Sequence, residues 1–153
     1  MLAAILASAA SSGVDAWFVL AIVIQESGGC VRVPTTSYSV SNSGLMQSHE
    51  GSHSCNSGAQ VTTPCPAEEI QGMITEGMQG TASSSTYALH GGISQAAHVD
   101  VSRFYKAAKI YNSGSIPTGG DLTSTAGAAT YCYSSDIANP LVGWTSGTSG
   151  CQA

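Results

Sequence analysis

The sequence predicts a single α+β domain that is mainly helical, with a central buried helix and a small β-hairpin lobe beside it. Apolar residues recur at helical spacing in several segments, and one of these segments is apolar on every side. A single β-branched, Ser-rich stretch lies between turn-forming residues. The 153 residues suit one hydrophobic core and contain no internal repeat, so we predict one domain over residues 1–153.

Two helices are predicted at the start of the chain. Residues 2–12 are amphipathic and end at Gly13. The next helix, AWFVLAIVIQES, has Asp15 as its expected N-cap and ends at Gly28. Because it is apolar all round until Gln25, we expect it at the centre of the domain.

The first ten residues also resemble the apolar part of a signal peptide, but they lack its basic start. We interpret them as the first helix of a mature domain. Such a domain could be a catalytic module cut from a longer precursor, with the signal and any accessory domain upstream.

The remaining segments alternate between loops and shorter elements. Residues 31–43 (VRVPTTSYSVSNS) predict the hairpin lobe, and residues 44–65 are expected to be mostly loop. Residues 113–130 are rich in Gly, Ser and Thr and also predict a loop. Four further helices are expected over residues 66–78, 84–97, 102–112 with Ser102 as cap, and 136–143 with Ser135 as cap.

Composition and cysteine content favour a secreted protein. Only 8% of the residues are charged, yet 42% are hydrophobic, so a core can form under a neutral Ser/Thr/Gly-rich surface. The five cysteines lack metal-ligand spacing, which favours disulfides and an oxidising, extracellular location. Cys55 and Cys65 bracket a short loop and are the expected pair. The other three cysteines allow one further bridge, and the last either is a free thiol or has its partner on a segment outside this sequence.

Several classes of partner are excluded by the sequence. The net charge of -5 and only four basic residues argue against a nucleic-acid partner. The apolar run 16–24 is too short to span a membrane. The H-E-G-S-H segment around Glu50 lies in a Gly/Ser loop instead of a helix, so we expect no metal and no cofactor. The negative net charge is also an argument against an anionic substrate, because like charges repel.

Glu26 is the residue from which most can be inferred. It follows nine apolar residues, in the last turn of a helix that is expected to be buried. Burial and the negative end of the helix dipole both disfavour its charge, and no basic residue adjoins it. A raised pKa is what the proton donor of a glycosidase needs. The alternative is a glutamate that reaches solvent at a fraying helix end.

Three motifs together resemble the goose-type lysozymes and soluble lytic transglycosylases. They are IQESGG, SNSGLMQ and KIYNSG, in the order and with the approximate spacing found in that lysozyme-like superfamily. The resemblance covers about residues 16–50 and 100–114. It implies a lysozyme-like fold and a muramidase that cleaves the β-1,4 bond between N-acetylmuramic acid and N-acetylglucosamine, with Glu26 as general acid.

The resemblance also implies roles for residues in or beside the motifs. The Met-Gln segment would line the cleft and the motif tyrosine would lie close to Glu26. The candidate substrate-binding residues implied in this way are Ser43, Met46, Gln47, His49, Tyr111 and Asn112. Tyr38 is added as an aromatic platform for a sugar ring, with Tyr131 and Tyr133 as further possibilities.

The chain departs from the goose-type pattern in its second carboxylate. The family's aspartates before and after Gly-Leu-Met-Gln are missing, and His49 stands where the later one would align. Glu50 is the nearest acid and is the candidate water-activating base. Otherwise another group activates the water, or the sugar's own hydroxyl closes on the anomeric carbon, as in lytic transglycosylases. Glu50 could equally be a solvated loop residue.

Two classes of function remain open at this stage. The first is a monomeric, secreted glycoside hydrolase that acts on peptidoglycan glycan strands and is thereby antimicrobial, with chitin-like or β-mannan chains as alternative substrates. The second is a non-catalytic glycan-binding protein on the same fold. The intact motifs favour the enzyme, and the missing aspartates favour the binding protein.

Overall fold

The computed structural model describes residues 1–85, 87–95, 100–124 and 129–144. Within them the chain forms six helices and one three-stranded antiparallel sheet, which confirms the mainly helical α+β class. The helices are α1 (Leu2–Ser12), α2 (Ala16–Ser27), α3 (Ala67–Gln79), α4 (Leu89–Gln95), α5 (Ser102–Ser113) and α6 (Tyr133–Leu141). The strands are β1 (Thr36–Ser37), β2 (Ser41–Ser43) and β3 (Ser48–His49).

The first two helices begin and end as the sequence predicts. Gly13 follows α1 with a left-handed φ of 72°, and its N–H donates to the carbonyl of Ala9. Asp15 caps α2 because its carboxylate accepts from the backbone N–H of Trp17 at 2.8 Å. Gly28 ends α2 with a φ of 59°. Local capping chemistry therefore fixes where Glu26 stands, in the last turn of α2.

The predicted lobe is a three-stranded sheet in the order β1-β2-β3. Thr36 pairs with Asn42, and Asn42 pairs in turn with His49. The third strand falls in a segment expected to be loop. It forms because residues 44–47 reverse the chain, so that Ser48 returns alongside Ser43.

The helix predicted over 66–78 is confirmed as α3. The helix predicted over 84–97 is shorter at its start, since α4 begins at Leu89. The Ser-rich residues before it form turns instead, in which Thr81 and Ser84 exchange backbone hydrogen bonds. The predicted end of this helix lies outside the described residues.

Two predicted caps are wrong. Ser102 is the first residue of α5, and Val101 is its N-cap without a side-chain cap bond. The carboxylate of Asp100 accepts from the backbone N–H and the hydroxyl of Ser102. Ser135 does not cap the last helix, since α6 begins earlier, at Tyr133. Cys132 precedes it with a φ of 55° and is disulfide-bonded, so the chain turns sharply and enters the helix at once.

The core forms where one side of α2 meets α1 and α6. Val19, Ile22 and Val23 are fully buried. The ring of Phe18 packs edge-on against Phe104 of α5, with centroids 5.2 Å apart. Around this core, α5 packs between α4 and α6, and α3 packs against α1, α4 and β3.

The prediction that α2 is buried on every side is wrong for one stripe of the helix. Trp17 is 72% exposed and Ile24 is 45% exposed. The helix packs mainly against α1 and α6, and these two neighbours leave its third side open. An apolar composition therefore overestimates how much of this helix the domain covers.

The predicted Cys55–Cys65 disulfide is confirmed, with a Cα–Cα distance of 5.7 Å. Cys132 is also disulfide-bonded, whereas Cys30 is free and exposed. This matches the expected count of one further bridge and one remaining thiol. Cys151 lies outside the described residues.

Replacing both Cys55 and Cys65 with alanine is expected to lower the free energy of unfolding by about 2–3 kcal/mol, because the short crosslink restricts the unfolded chain. Urea unfolding followed by circular dichroism measures the change. The matched control is Cys30→Ala, which removes an exposed thiol and should shift the free energy by less than about 0.5 kcal/mol. An unchanged urea midpoint in the double variant would contradict the expectation.

Candidate active site

An open cleft of about 450 Å³ lies between the end of α2, the sheet and the end of α5. Its size is typical of small-molecule sites. Most of its lining is neutral and polar or aromatic. The lining residues, called the cleft residues below, are Glu26, Thr36, Tyr38, Ser39, Val40, Asn42, Gln47, His49, Tyr87, Tyr111, Asn112, Ser113, Ala129 and Thr130.

Glu26 supplies the reactive group of the cleft. It is partly buried, and its Oε1 accepts a hydrogen bond from the hydroxyl of Tyr133. Burial raises the pKa of Glu26 from 4.5 to about 7, although the Tyr133 hydrogen bond acts in the opposite direction. The carboxyl therefore carries a proton up to neutral pH while it faces the cleft. This is the state of a general acid.

Tyr111 and Tyr133 are the two buried tyrosines beside Glu26. Burial, followed by the charge of Glu26, raises the pKa of each phenol well above its ordinary value. Both remain hydroxyl donors at any pH the protein meets. Tyr133 donates to Glu26, whereas Tyr111 donates to the backbone carbonyl of Met46 at 2.6 Å.

The Gly-Leu-Met-Gln turn contributes Gln47 to the lining of the cleft. Gly44 has a φ of 71°, and a Cβ there would lie 2.6 Å from Met73, so only glycine fits. The side chain of Gln47 accepts from the hydroxyl of Thr36 at 2.8 Å and donates to the carbonyl of Gly44 at 3.1 Å. Gln47 thus ties the turn to β1. The hydroxyl of Tyr111 ties the same turn to α5.

Two rings form a further part of the lining. His49 and Tyr87 stack with centroids 4.4 Å apart and an interplanar angle of 22°. The backbone carbonyl of His49 accepts from the hydroxyl of Thr81 at 3.0 Å. The end of β3 is thereby fixed to the segment that precedes α4.

Six of the nine residues predicted for the site line this cleft: Glu26, Tyr38, Gln47, His49, Tyr111 and Asn112. Tyr38 is 87% exposed, as an open platform requires. The side-chain oxygen of Asn112 is buried and accepts no hydrogen bond within the described part of the chain.

Ser43 and Met46 lie away from the cleft. Both side chains are buried, and the hydroxyl of Ser43 donates to the carbonyl of His53 at 3.3 Å. The side chain of Met46 packs against α3, where a Cβ on Gly77 would lie 2.5 Å from its sulfur. These two residues support the cleft wall from behind and are not placed to touch a ligand.

Glu50 is not brought to the cleft. It is exposed in the turn after β3, with a left-handed φ of 52°, and its backbone N–H donates to Ser41. All nine acidic residues of the sequence lie in the described ranges, and Glu26 alone among them lines the cleft. No second carboxylate therefore stands beside Glu26.

Two aromatic residues have roles that the sequence does not predict. By sequence Tyr133 is only a candidate sugar platform, and Tyr87 belongs to none of the three motifs. Tyr133 and Glu26 are 107 positions apart in the sequence, so no local spacing predicts their contact. The packing of α6 on α2 creates the contact. Tyr131, the other platform candidate, is 46% exposed and lies outside the lining.

Tyr133→Phe is expected to raise the pKa of Glu26 further, because the hydrogen bond it removes stabilises the carboxylate. Loss of one hydrogen bond should change the free energy of unfolding by only about 1 kcal/mol. An NMR titration of the Glu26 carboxyl measures the pKa without any substrate. Tyr131→Phe is the matched control and should leave the titration where it is. A lower Glu26 pKa in Tyr133→Phe would contradict the assigned hydrogen bond.

Among the described residues, no group of three or more His, Cys, Asp and Glu side chains is arranged to hold a metal ion. None of the described helices combines the length and apolar character needed to cross a membrane.

No protein-family model, curated protein or solved structure matches this chain. The likeness of its three motifs to goose-type lysozymes therefore remains a prediction. The function has to be argued from the chemistry of the cleft.

Proposed function

We propose that the protein is a glycoside hydrolase, a muramidase that cleaves the β-1,4 bond between N-acetylmuramic acid and N-acetylglucosamine in bacterial peptidoglycan. The observation that carries the proposal is Glu26, a carboxyl with a pKa of about 7 on the wall of an open cleft. Neutral polar groups and tyrosines surround it, which suits sugar hydroxyls and pyranose faces. The three motifs that resemble goose-type lysozymes agree with this assignment.

In the proposed reaction Glu26 gives its proton to the glycosidic oxygen. The bond between that oxygen and the anomeric carbon breaks, and the departing sugar leaves with a new hydroxyl. The Glu26 carboxylate that results is stabilised by the hydroxyl of Tyr133, which donates to Oε1. Tyr133 is thus a positioning residue that fixes the acid and favours its charged form after the transfer.

The second half of the reaction needs a nucleophile. An inverting glycosidase places a base roughly 6.5–9.5 Å from its acid, with room for a water between them. No second acidic residue lines this cleft, and Glu50 is exposed outside it. Hydrolysis here would therefore use a water held by neutral groups. The Glu26 carboxylate formed in the first step would take a proton from this water as its oxygen bonds to the anomeric carbon.

The lack of a second carboxylate favours lytic transglycosylation as a second candidate. The C6 hydroxyl of the N-acetylmuramic acid unit would attack its own anomeric carbon, and its proton would pass to the Glu26 carboxylate. The product would be a 1,6-anhydro sugar, no water would be consumed, and Glu26 would end protonated and ready for the next turnover.

Mass spectrometry of fragments released from purified peptidoglycan tests both candidates. Hydrolysed ends indicate the muramidase, and ends lighter by one water indicate transglycosylation. Fragments released from chitin or β-mannan but not from peptidoglycan would show that one of those glycans is the substrate instead. If the protein releases no fragment from any of these glycans but still binds them, it is a glycan-binding protein and not an enzyme.

The proposed location is extracellular. The Cys55–Cys65 bridge and the disulfide-bonded Cys132 are compatible with an oxidising compartment. Its partners would be peptidoglycan strands, on which it would act as an antimicrobial monomer.

A further inference from the structure

The cleft carries no permanent positive charge. All four Lys and Arg residues of the sequence lie in the described ranges, and none of them lines the cleft. Lys109 is 1% exposed, and its ammonium group donates to the backbone carbonyl of Ser124. Arg32 is exposed outside the lining, and Arg103 lies over the ring of Phe104 at the start of α5. A carboxylate in the cleft would find no lysine or arginine to pair with.

The charge of the rest of the protein opposes anions as well. The chain has a net charge of -5, so its summed field repels an approaching carboxylate. Glu26 is the one acidic residue of the lining. His49 is the one basic side chain there, and its ring is stacked on Tyr87.

The groups that the cleft does offer are neutral. Asn112 adds a neutral amide side chain to the lining. Ser39 and Asn42 add neutral polar groups on the sheet side. Tyr38 adds an exposed aromatic face. This set matches the hydroxyl and N-acetyl groups of an uncharged sugar chain.

We infer that the cleft selects uncharged stretches of N-acetylated β-1,4 glycan and discriminates against stretches that carry carboxylates. The inference rests on the proposed function. On a cell-wall strand, the enzyme would cut where the lactyl and stem-peptide carboxyls are blocked, and leave their ionised counterparts. A carboxylate entering this cleft would lose water without gaining a lysine or arginine partner.

Three oligosaccharides of equal length test the inference. One is the uncharged N-acetylglucosamine oligomer, and one alternates N-acetylmuramic acid with N-acetylglucosamine and carries free lactyl carboxylates. The third is that same alternating chain with each carboxyl amidated. Calorimetry at low ionic strength measures their binding to the Glu26→Gln variant, which should not cut them. The amidated chain is expected to bind roughly 3–10-fold more tightly than the carboxylate chain, and salt should narrow the difference.

A variant that adds a positive charge to the cleft lining provides a further test of the inference. Ser39→Lys, made in the Glu26→Gln background, adds a cation at an exposed cleft residue, and it should abolish or reverse the preference for the amidated chain. Ser39→Gln in that background adds length without charge and should keep the preference.

The outcomes separate this inference from the proposed function. Equal or tighter binding of the carboxylate chain to Glu26→Gln overturns the inference, and so does equal cleavage of both alternating chains by the wild-type enzyme. The expected binding preference without any cleavage by wild type supports the selection and overturns the enzyme. No binding of any of the three chains overturns both.

Discussion

Replacing Glu26 with glutamine is expected to lower the rate of glycan cleavage by about 10²- to 10⁴-fold, the usual contribution of a general acid. The amide has nearly the same shape and can still accept from the hydroxyl of Tyr133, so the fold should remain intact. It has no proton of suitable acidity to give to the glycosidic oxygen. The release of reducing or anhydro ends from purified peptidoglycan measures the rate, and circular dichroism checks the fold.

The matched control is Glu50→Gln. It makes the same chemical change at an acid that is exposed outside the cleft, and should keep near-wild-type activity. If Glu26→Gln retains more than about a tenth of the wild-type rate, Glu26 is not the acid, since even modest general acid catalysis exceeds that factor. A loss of about 10²-fold in Glu50→Gln would instead restore Glu50 as the base that the sequence suggested.

Activity is expected to fall about tenfold for each pH unit above 7, so that the rate at pH 9 is about 100-fold below its value at pH 6. Burial disfavours the charged carboxylate and raises the pKa of Glu26 to about 7. The protonated form is the active one, so activity is present below that pKa and is lost as the pH rises through it. The alkaline limb of kcat/KM measured from pH 5 to pH 9 tests this.

Circular dichroism over the same range is the control for this profile. It should show an unchanged fold, which would assign the loss of rate to deprotonation and not to unfolding. A rate that stays flat up to pH 9 would contradict the raised pKa or the role of Glu26 as acid.

Local chemistry made several elements predictable from the sequence. Gly13, Asp15 and Gly28 set the ends of α1 and α2 through hydrogen bonds within a few residues, and these boundaries are confirmed. The exposed stripe of α2, with Trp17 and Ile24, could not be predicted because it depends on how many neighbours the helix has. The early start of α6 depends on the turn and disulfide at Cys132.

The site shows the same division. The position of Glu26 after an apolar run predicted a raised pKa, and burial of the carboxyl is its main cause in the structure. Tyr133 reaches Glu26 only through the packing of α6 on α2, which no local pattern encodes. Glu50 stands three positions after Gln47, yet the left-handed backbone at Glu50 lies on an exposed turn outside the lining. The short distance in sequence between Glu50 and Gln47 therefore did not place Glu50 in the cleft.

The buried acid at the end of α2 also couples folding to the uptake of a proton. The Glu26 carboxyl loses its proton near pH 4.5 in the unfolded chain but only near pH 7 in the folded one, so between these values the folded chain holds more protons. Stability therefore declines as the pH rises through this window, by about 3 kcal/mol for this one group once the carboxyl is fully ionised. Below pH 7 Glu26 is protonated and can act as a general acid, and in that same range it destabilises the fold least.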